Sequence, residues 1–276
     1  MKLVSPNFSD LMEPNIEFKV FPDGDSYVRI DDLPSYQGED VQLYHRMYPG
    51  QDTCIFNALQ ILDTLKRVGA RTTMVVPYLP YSRQDKTFKE GEALSAQMLC
   101  SLLANAGVKK LVTIDCHFLK KEGEFDYAGL KIENISANKL LVEHAKTILG
   151  EFEIISPDQG ANYLVSDYGG KSMEKVRGDY KDGDEAYRKI EKVEMNFDVK
   201  GKNVLVIDDM ISTGGTMIRG VENVKKGGAK KVVCAAAHGF FLKGSLEKLR
   251  AVADDVFTTN SIPNEAAKID IKQLLP

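Results

Sequence analysis

Residues 203–219 read NVLVIDDMISTGGTMIR. Val204, Leu205, Val206 and Ile207 form a short apolar run of the kind a fully buried parallel strand requires. Asp208 and Asp209 end that run. Ser212, Thr213, Gly214, Gly215 and Thr216 then make a turn, and a helical pattern extends to about Gly227. A strand, an acid pair, a hydroxyl-and-glycine turn and a helix, in that order, build a seat for an anion. The glycines let backbone amides approach closely, the hydroxyls add donors, and the helix N-terminus carries partial positive charge. The acid pair would repel a bare phosphate, so it serves another part of the same ligand. Carboxylates accept hydrogen bonds from the vicinal hydroxyls of a sugar. The expected ligand is a ribose carrying a 5-phosphate. The competing reading is a purely structural βα turn with an N-cap at Thr213 or Thr216.

A chain of 276 residues accommodates one large domain or two of ordinary size, and 43% hydrophobic content suffices for a packed core. The net charge of −4 argues against nucleic acid or a membrane surface as partner. No apolar run approaches the ~18 residues of a membrane-spanning helix. The opening MKLVSPNFSD lacks the apolar stretch of a secretory signal. Cys54, Cys100, Cys116 and Cys234 are scattered, with no C-x-x-C pair, so reduced buried thiols in a cytoplasmic protein are expected.

Around the quoted stretch, strand and helix patterns alternate. Residues 16–20 and 26–30 flank Phe21-Pro22-Asp23-Gly24-Asp25, a hairpin turn by its residue types. Residues 53–68 read as a helix with Ile55, Leu59, Leu62 and Leu65 on one face and a stop at Gly69. Residues 72–77 are a buried strand. The loop behind it holds Tyr78, Tyr81, Arg83, Gln84, Asp85 and Lys86, groups able to stack a base and pair with phosphates. Helix 92–106 follows. Strand 110–114 ends at Asp115-Cys116-His117, and strand 152–155 ends at Ser156-Pro157-Asp158-Gln159-Gly160. Ligands of open α/β sheets bind at such strand ends. Residues 171–192 are charged and glycine-punctuated, and read as a mobile surface loop. Gly170-Lys171-Ser172 imitates the end of a P-loop, but Val165 stands where that motif requires glycine. The alternation predicts an α/β protein of two doubly wound parallel-sheet domains, residues 1–136 and 137–276, with the site between them.

The 204–216 segment resembles the phosphoribosyl-diphosphate loop of type I phosphoribosyltransferase folds. Five further stretches, 18–25, 77–86, 113–117, 156–160 and 174–177, resemble ribose-phosphate diphosphokinases, in order and over nearly the whole chain, and the short length is similar to the compact archaeal type. That resemblance implies contacts with ATP from Phe21, Asp23 and Asp25 on a hairpin that reaches a neighbouring subunit. It implies further ATP contacts from Arg83, Gln84 and His117. It makes His117 and Asp158 the Mg2+-linked groups and Lys175 and Arg177 the catalytic pair of a flexible loop. Gly169, Gly170, Gly178 and Gly183 would be that loop's hinges. Asp208, Asp209, Ser212, Thr213, Gly214, Gly215 and Thr216 would hold ribose 5-phosphate. The implied reaction moves diphosphate from Mg-ATP to the C1 hydroxyl of ribose 5-phosphate, in a homodimer or hexamer. Three alternatives are carried alongside it: a larger acceptor such as ADP-ribose, a phosphoribosyltransferase, and a catalytically silent regulatory subunit. In departure from the family pattern, the helix between the first strand and Phe18 is largely missing. Thr87 and Gly91 also stand where basic residues are common, and the segment from Gly160 to Lys175 is short.

Overall fold

The computed structural model describes residues 1–177 and 190–276, with the side chains of residues 175–177 and 190–194 outside the description. The chain divides into two units, one of Met1–Ser136 with Lys272–Pro276 and one of Ala137–Ile271. The last five residues therefore return to the first unit instead of ending the second. The Pro276 carbonyl accepts hydrogen bonds from the Tyr44 hydroxyl and from Lys2 Nζ.

The first unit contains β1 (Lys2–Val4), β2 (Ile16–Val20), β3 (Ser26–Ile30), β4 (Asp40–Tyr44), α1 (Gln51–Arg67), β5 (Arg71–Val75), α2 (Ser95–Ala106), β6 (Val108–Ile114), β7 (Gly123–Tyr127) and β8 (Leu130–Ile135). Its sheet runs β1-β4-β5-β6-β8-β7, parallel except for β7, and β2 with β3 forms a separate hairpin. The strands step in one direction across the sheet. Right-handed crossovers then put α1 and α2 on the same face, where they touch. Helix α1 forms because Ala58, Ile61, Leu62 and Leu65 recur at helical spacing, and all four are buried. It stops at Gly69, whose φ of +71° a side chain would resist. Between β1 and β2 there is only a 3-10 turn, Pro6–Phe8, in keeping with the short connection read from the sequence.

The second unit contains α3 (Asn138–Leu149), β9 (Glu153–Ser156), β10 (Lys171–Ser172), β11 (Glu174–Arg177), β12 (Ile190–Glu194), β13 (Asn203–Ile211), α4 (Gly215–Lys226), β14 (Lys231–Gly239), α5 (Ser245–Val252), β15 (Asp255–Thr259) and β16 (Ala267–Ile269). Its all-parallel sheet runs β10-β9-β13-β14-β15-β16. The chain leaves β9 for β10 on one side and comes back to β13 on the other, so the winding reverses between β9 and β13. Val204, Leu205, Val206 and Ile207 in β13 are completely buried. Each contributes about 1.5–3 kcal/mol of burial.

Two sequence expectations are corrected, and one element had no sequence expectation. β13 does not end at the acids but runs through Asp208 and Asp209 to Ile211. Its partner β14 is equally long there and offers small residues, pairing Asp208 with Ala236 and Met210 with His238, so the ladder outlasts the apolar run. The 171–192 segment is not a plain surface loop at its ends. β10 joins the sheet, and β11 pairs antiparallel with β12. The β7–β8 hairpin was not legible, because β7 alternates exposed and half-buried residues and carries little apolar signal.

Candidate functional site

The reversal between β9 and β13 opens a crevice at the carboxyl ends of two neighbouring strands, the place where parallel sheets bind ligands. β9 delivers Asp158 and β13 delivers Asp208 and Asp209. The Ser156 hydroxyl donates to the Asp158 carbonyl at 2.9 Å, and the Gly160 amide donates to Asp158 Oδ1 at 2.7 Å. A Cβ on Gly160 would stand 2.8 Å from that same oxygen, so a side chain there would displace the Asp158 carboxylate. Asp209 is buried and Asp208 half-buried, and the Asp209 amide donates to Asp208 Oδ1 at 2.9 Å. Burial pushes the Asp208 carboxyl well above the usual carboxylate range, and the charges of Asp209 and Asp158 push it the same way. Three acids thus crowd one crevice and repel one another.

Beyond β13, Gly214 turns the chain with φ +74°, and α4 begins at Gly215. The first α4 bond runs from the Ile218 amide to the Gly214 carbonyl at 2.8 Å, so the amides of residues 215–217 lie outside the helical ladder. No side chain caps them, and the N-cap expected at Thr213 or Thr216 under the structural reading is absent. Ser212, Gly215 and Thr216 are half-buried and Thr213 is exposed around this amide cluster. A group the sequence reading missed lies here too. Among the described residues Arg219 Nε is buried with no hydrogen-bond partner, and its Nη2 sits 3.5 Å from the point where a Gly215 side chain would start. The signal was in the quoted stretch itself, since positions four apart on a helix share a face.

In the first unit, β5 and β6 are neighbours, and the loops leaving their carboxyl ends carry Arg83, Gln84 and His117. The 77–94 loop is held at several points. The Tyr81 hydroxyl donates to Asp52, which raises the Tyr81 pKa. The Gln84 amide donates to the Tyr81 carbonyl at 2.8 Å, and the Gln84 carbonyl accepts from the Ala96 amide at 3.2 Å. Those bonds leave the Arg83 and Gln84 side chains exposed. After β6, Asp115 is buried in a left-handed conformation, φ +38°, uncommon for a non-glycine residue. Asp115 Oδ1 accepts from the Ser136 hydroxyl at 2.9 Å, and the Cys116 amide donates to Asn134 at 2.8 Å. This bend presents half-buried His117 at the strand end. Phe21, Asp23 and Asp25 sit apart, on the β2–β3 hairpin. Phe21 is 50% exposed and meets Tyr27 edge to face, while Asp23 Oδ1 accepts from the Asp25 amide at 3.2 Å.

Among the described residues no three His, Cys, Asp or Glu side chains are grouped closely enough to hold a metal ion by themselves. The acids of the crevice nevertheless suit Mg2+. It is a hard cation that takes one or two carboxylates and fills its shell with water and phosphate oxygens, and it would relieve the repulsion on Asp208. The Lys175 and Arg177 backbones lie on β11, opposite Val193 and Ile190, and their side chains are outside the described part, as are Gly178 and Gly183 altogether. Gly169 has φ +66°, but Gly170 is not a free hinge. A Cβ there would lie within 2.7 Å of Ile154 and Val165, so it is a packing glycine.

Residues 10–107 match the N-terminal domain of ribose phosphate pyrophosphokinase, and residues 164–272 match the phosphoribosyl transferase domain. The chain is 37% identical to the ribose-phosphate pyrophosphokinase of Pyrococcus furiosus, covering 93% of this chain and 89% of that protein. To the ribose-phosphate pyrophosphokinase of Sulfurisphaera tokodaii it is 34% identical, covering 95% and 89%. The crystal structure of phosphoribosylpyrophosphate synthetase from Mycobacterium smegmatis matches with a TM-score of 0.81 at 26% identity, over 99% of this chain and 95% of that one. With both halves matched in order and the parallel-sheet fold shared end to end, the chain belongs to the ribose-phosphate pyrophosphokinase family.

Proposed function

We propose that the chain transfers diphosphate from ATP to the C1 hydroxyl of ribose 5-phosphate, giving phosphoribosyl diphosphate and AMP. The C1 oxygen forms a bond to the β-phosphorus, the bond between that phosphorus and the α,β-bridging oxygen breaks, AMP departs with the electron pair, and the hydroxyl proton is released. The observation that carries the reading is the β9–β13 crevice, where uncapped amides of α4 stand beside the Asp208–Asp209 pair. Such a transfer asks for in-line placement and dispersal of negative charge more than for covalent chemistry. Asp208 and Asp209 accept hydrogen bonds from the ribose diol and so aim C1. Residues 212–216 hold the 5-phosphate through amides and hydroxyls. Arg83 and Gln84 bind ATP, and His117 donates to its phosphates. The exposed ring of Phe21 supports a contact made across a subunit boundary, with Asp23 and Asp25 beside it in a homo-oligomer. Asp158 and His117 are the residues that would hold Mg2+ through its waters. When bound, Mg2+ supplies charge neutralisation along the phosphates. Lys175 and Arg177 close over the reacting phosphates.

The test is direct. Purified protein is incubated with ATP and ribose 5-phosphate, and AMP is followed by chromatography, with ADP-ribose as the acceptor in a parallel arm. AMP formed with ribose 5-phosphate at the higher kcat/KM is expected. AMP with ADP-ribose alone would move the assignment to the bulkier acceptor. No AMP in either arm would overturn the enzyme reading.

A further inference from the structure

The amide cluster at the start of α4 faces a ligand only if the carbonyls of the same turn are held the other way. The segment just after β14 does that holding. The Ile211 carbonyl accepts from the amides of Phe240 at 2.9 Å and Phe241 at 3.3 Å. The Ser212 carbonyl accepts from the Leu242 amide at 3.0 Å and from the Ser245 hydroxyl at 3.1 Å. Phe241 and Lys243 both adopt left-handed conformations, φ +49° and +56°, to thread this short connection past the turn. Ser245 is completely buried, and its Cβ lies 2.9 Å from where a side chain on Gly214 would begin. One side chain, distant in sequence, therefore meets the turn at two points, Ser212 and Gly214. It bonds the first carbonyl of the turn, that of Ser212, and walls Gly214, whose φ of +74° aims α4.

We infer that Ser245 is a positioning residue for the phosphate-binding turn, setting the affinity for the phosphate end of the acceptor without touching it. The inference rests on the proposed assignment of residues 212–216 to that phosphate. A buried hydrogen bond of this kind is worth about 1 kcal/mol, a factor of roughly five in an equilibrium constant. Ser245→Ala keeps the Leu242 bond and leaves no carbonyl orphaned, so the fold is expected to survive.

The experiment compares wild type, Ser245→Ala and Ser245→Cys, which retains a weak donor. Steady-state kinetics, calorimetric titration with ribose 5-phosphate and thermal melting are recorded for each. Ser245→Ala is expected to raise both KM and Kd for ribose 5-phosphate by roughly fivefold. Its kcat and its KM for ATP should stay within about twofold, its melting temperature should fall by no more than the few degrees that one lost hydrogen bond costs, and Ser245→Cys should fall between. Unchanged ribose 5-phosphate affinity in Ser245→Ala would overturn the inference. So would a parallel loss of kcat, both KM values and melting temperature, since that is a general packing role. Wild type that binds ribose 5-phosphate yet forms no AMP would overturn the reaction assignment and leave the Kd comparison standing. Wild type that does not bind it at all would overturn both.

Discussion

Asp208 is a residue the ligand-free protein would be more stable without. Its carboxyl is pushed up by burial and by two neighbouring acids, so above the ordinary carboxylate range the fold bears the cost of a group whose ionisation its surroundings resist. Asp208→Asn removes the charge and keeps the shape. The melting temperature at pH 7–8 is expected to rise, while ribose 5-phosphate turnover is lost by roughly a hundredfold or more, the cost of an electrostatic group aimed at the reacting centre. Melting curves alongside the AMP assay check both halves, and a lowered melting temperature would show that Asp208 is a stabilising partner instead. Arg219 gives the second prediction. Its unpartnered Nε beside the α4 amides makes it an arm for the acceptor's phosphate, and Arg219→Ala is expected to weaken ribose 5-phosphate binding by about tenfold with the KM for ATP unchanged. Unaltered calorimetric affinity would remove Arg219 from the site. The two residues differ in legibility. Adjacent acids after an apolar run announce themselves, whereas Arg219 matters only through its reach back along a helix. Ser245 matters only through a contact across 33 positions, which no local pattern carries.

Elements were legible in proportion to their apolar signal. β13 and β14 are almost continuously buried, and α1 keeps a strict helical period, so all three stood out in the sequence. β10 has two residues and β11 and β12 are polar, so composition favoured a loop there, and only the pairing partner reveals a ribbon. The Lys175 and Arg177 backbones stand on a paired strand with an irregularity between Val176 and Arg177, not on free chain. Lys175→Ala is expected to lower kcat by ~10³ with the KM for ribose 5-phosphate little changed, as for cations that act chiefly on a phosphoryl transition state. Single-turnover AMP release checks this, and near-normal turnover with intact affinities would remove Lys175 from the catalytic role.

Across the whole chain, two buried ionisable groups shape the acid side of the stability profile with opposite signs. His45 is fully buried in the first unit. Its Nε2 donates to the Cys54 carbonyl at 2.9 Å and its Nδ1 accepts from the Ser5 hydroxyl at 2.8 Å, an arrangement of the neutral ring. Burial lowers its pKa from 6.5 to about 4. The unfolded chain therefore binds a proton that the folded chain refuses. The His45 contribution is complete above pH 6.5 and is lost as pH falls toward about 4, a change on the order of 3 kcal/mol. Asp208 in the second unit runs the other way. Its raised pKa means the folded state holds the extra proton, so the penalty is absent below the ordinary carboxylate range near ~4 and grows as pH rises toward the raised folded value. Between pH 6.5 and 4 the first unit thus loses stability through His45 while the second gains relief at Asp208. His45→Gln, which preserves a donor and an acceptor, is expected to flatten the decline of the first unit's urea midpoint over that window. Asp208→Asn is expected to steepen the decline of the second unit's midpoint, by deleting that relief. Midpoints for the three proteins at half-unit pH steps decide the matter, each unit followed by its own probe because the halves need not unfold together. A decline that survives unchanged in His45→Gln would place the acid sensitivity elsewhere in the chain.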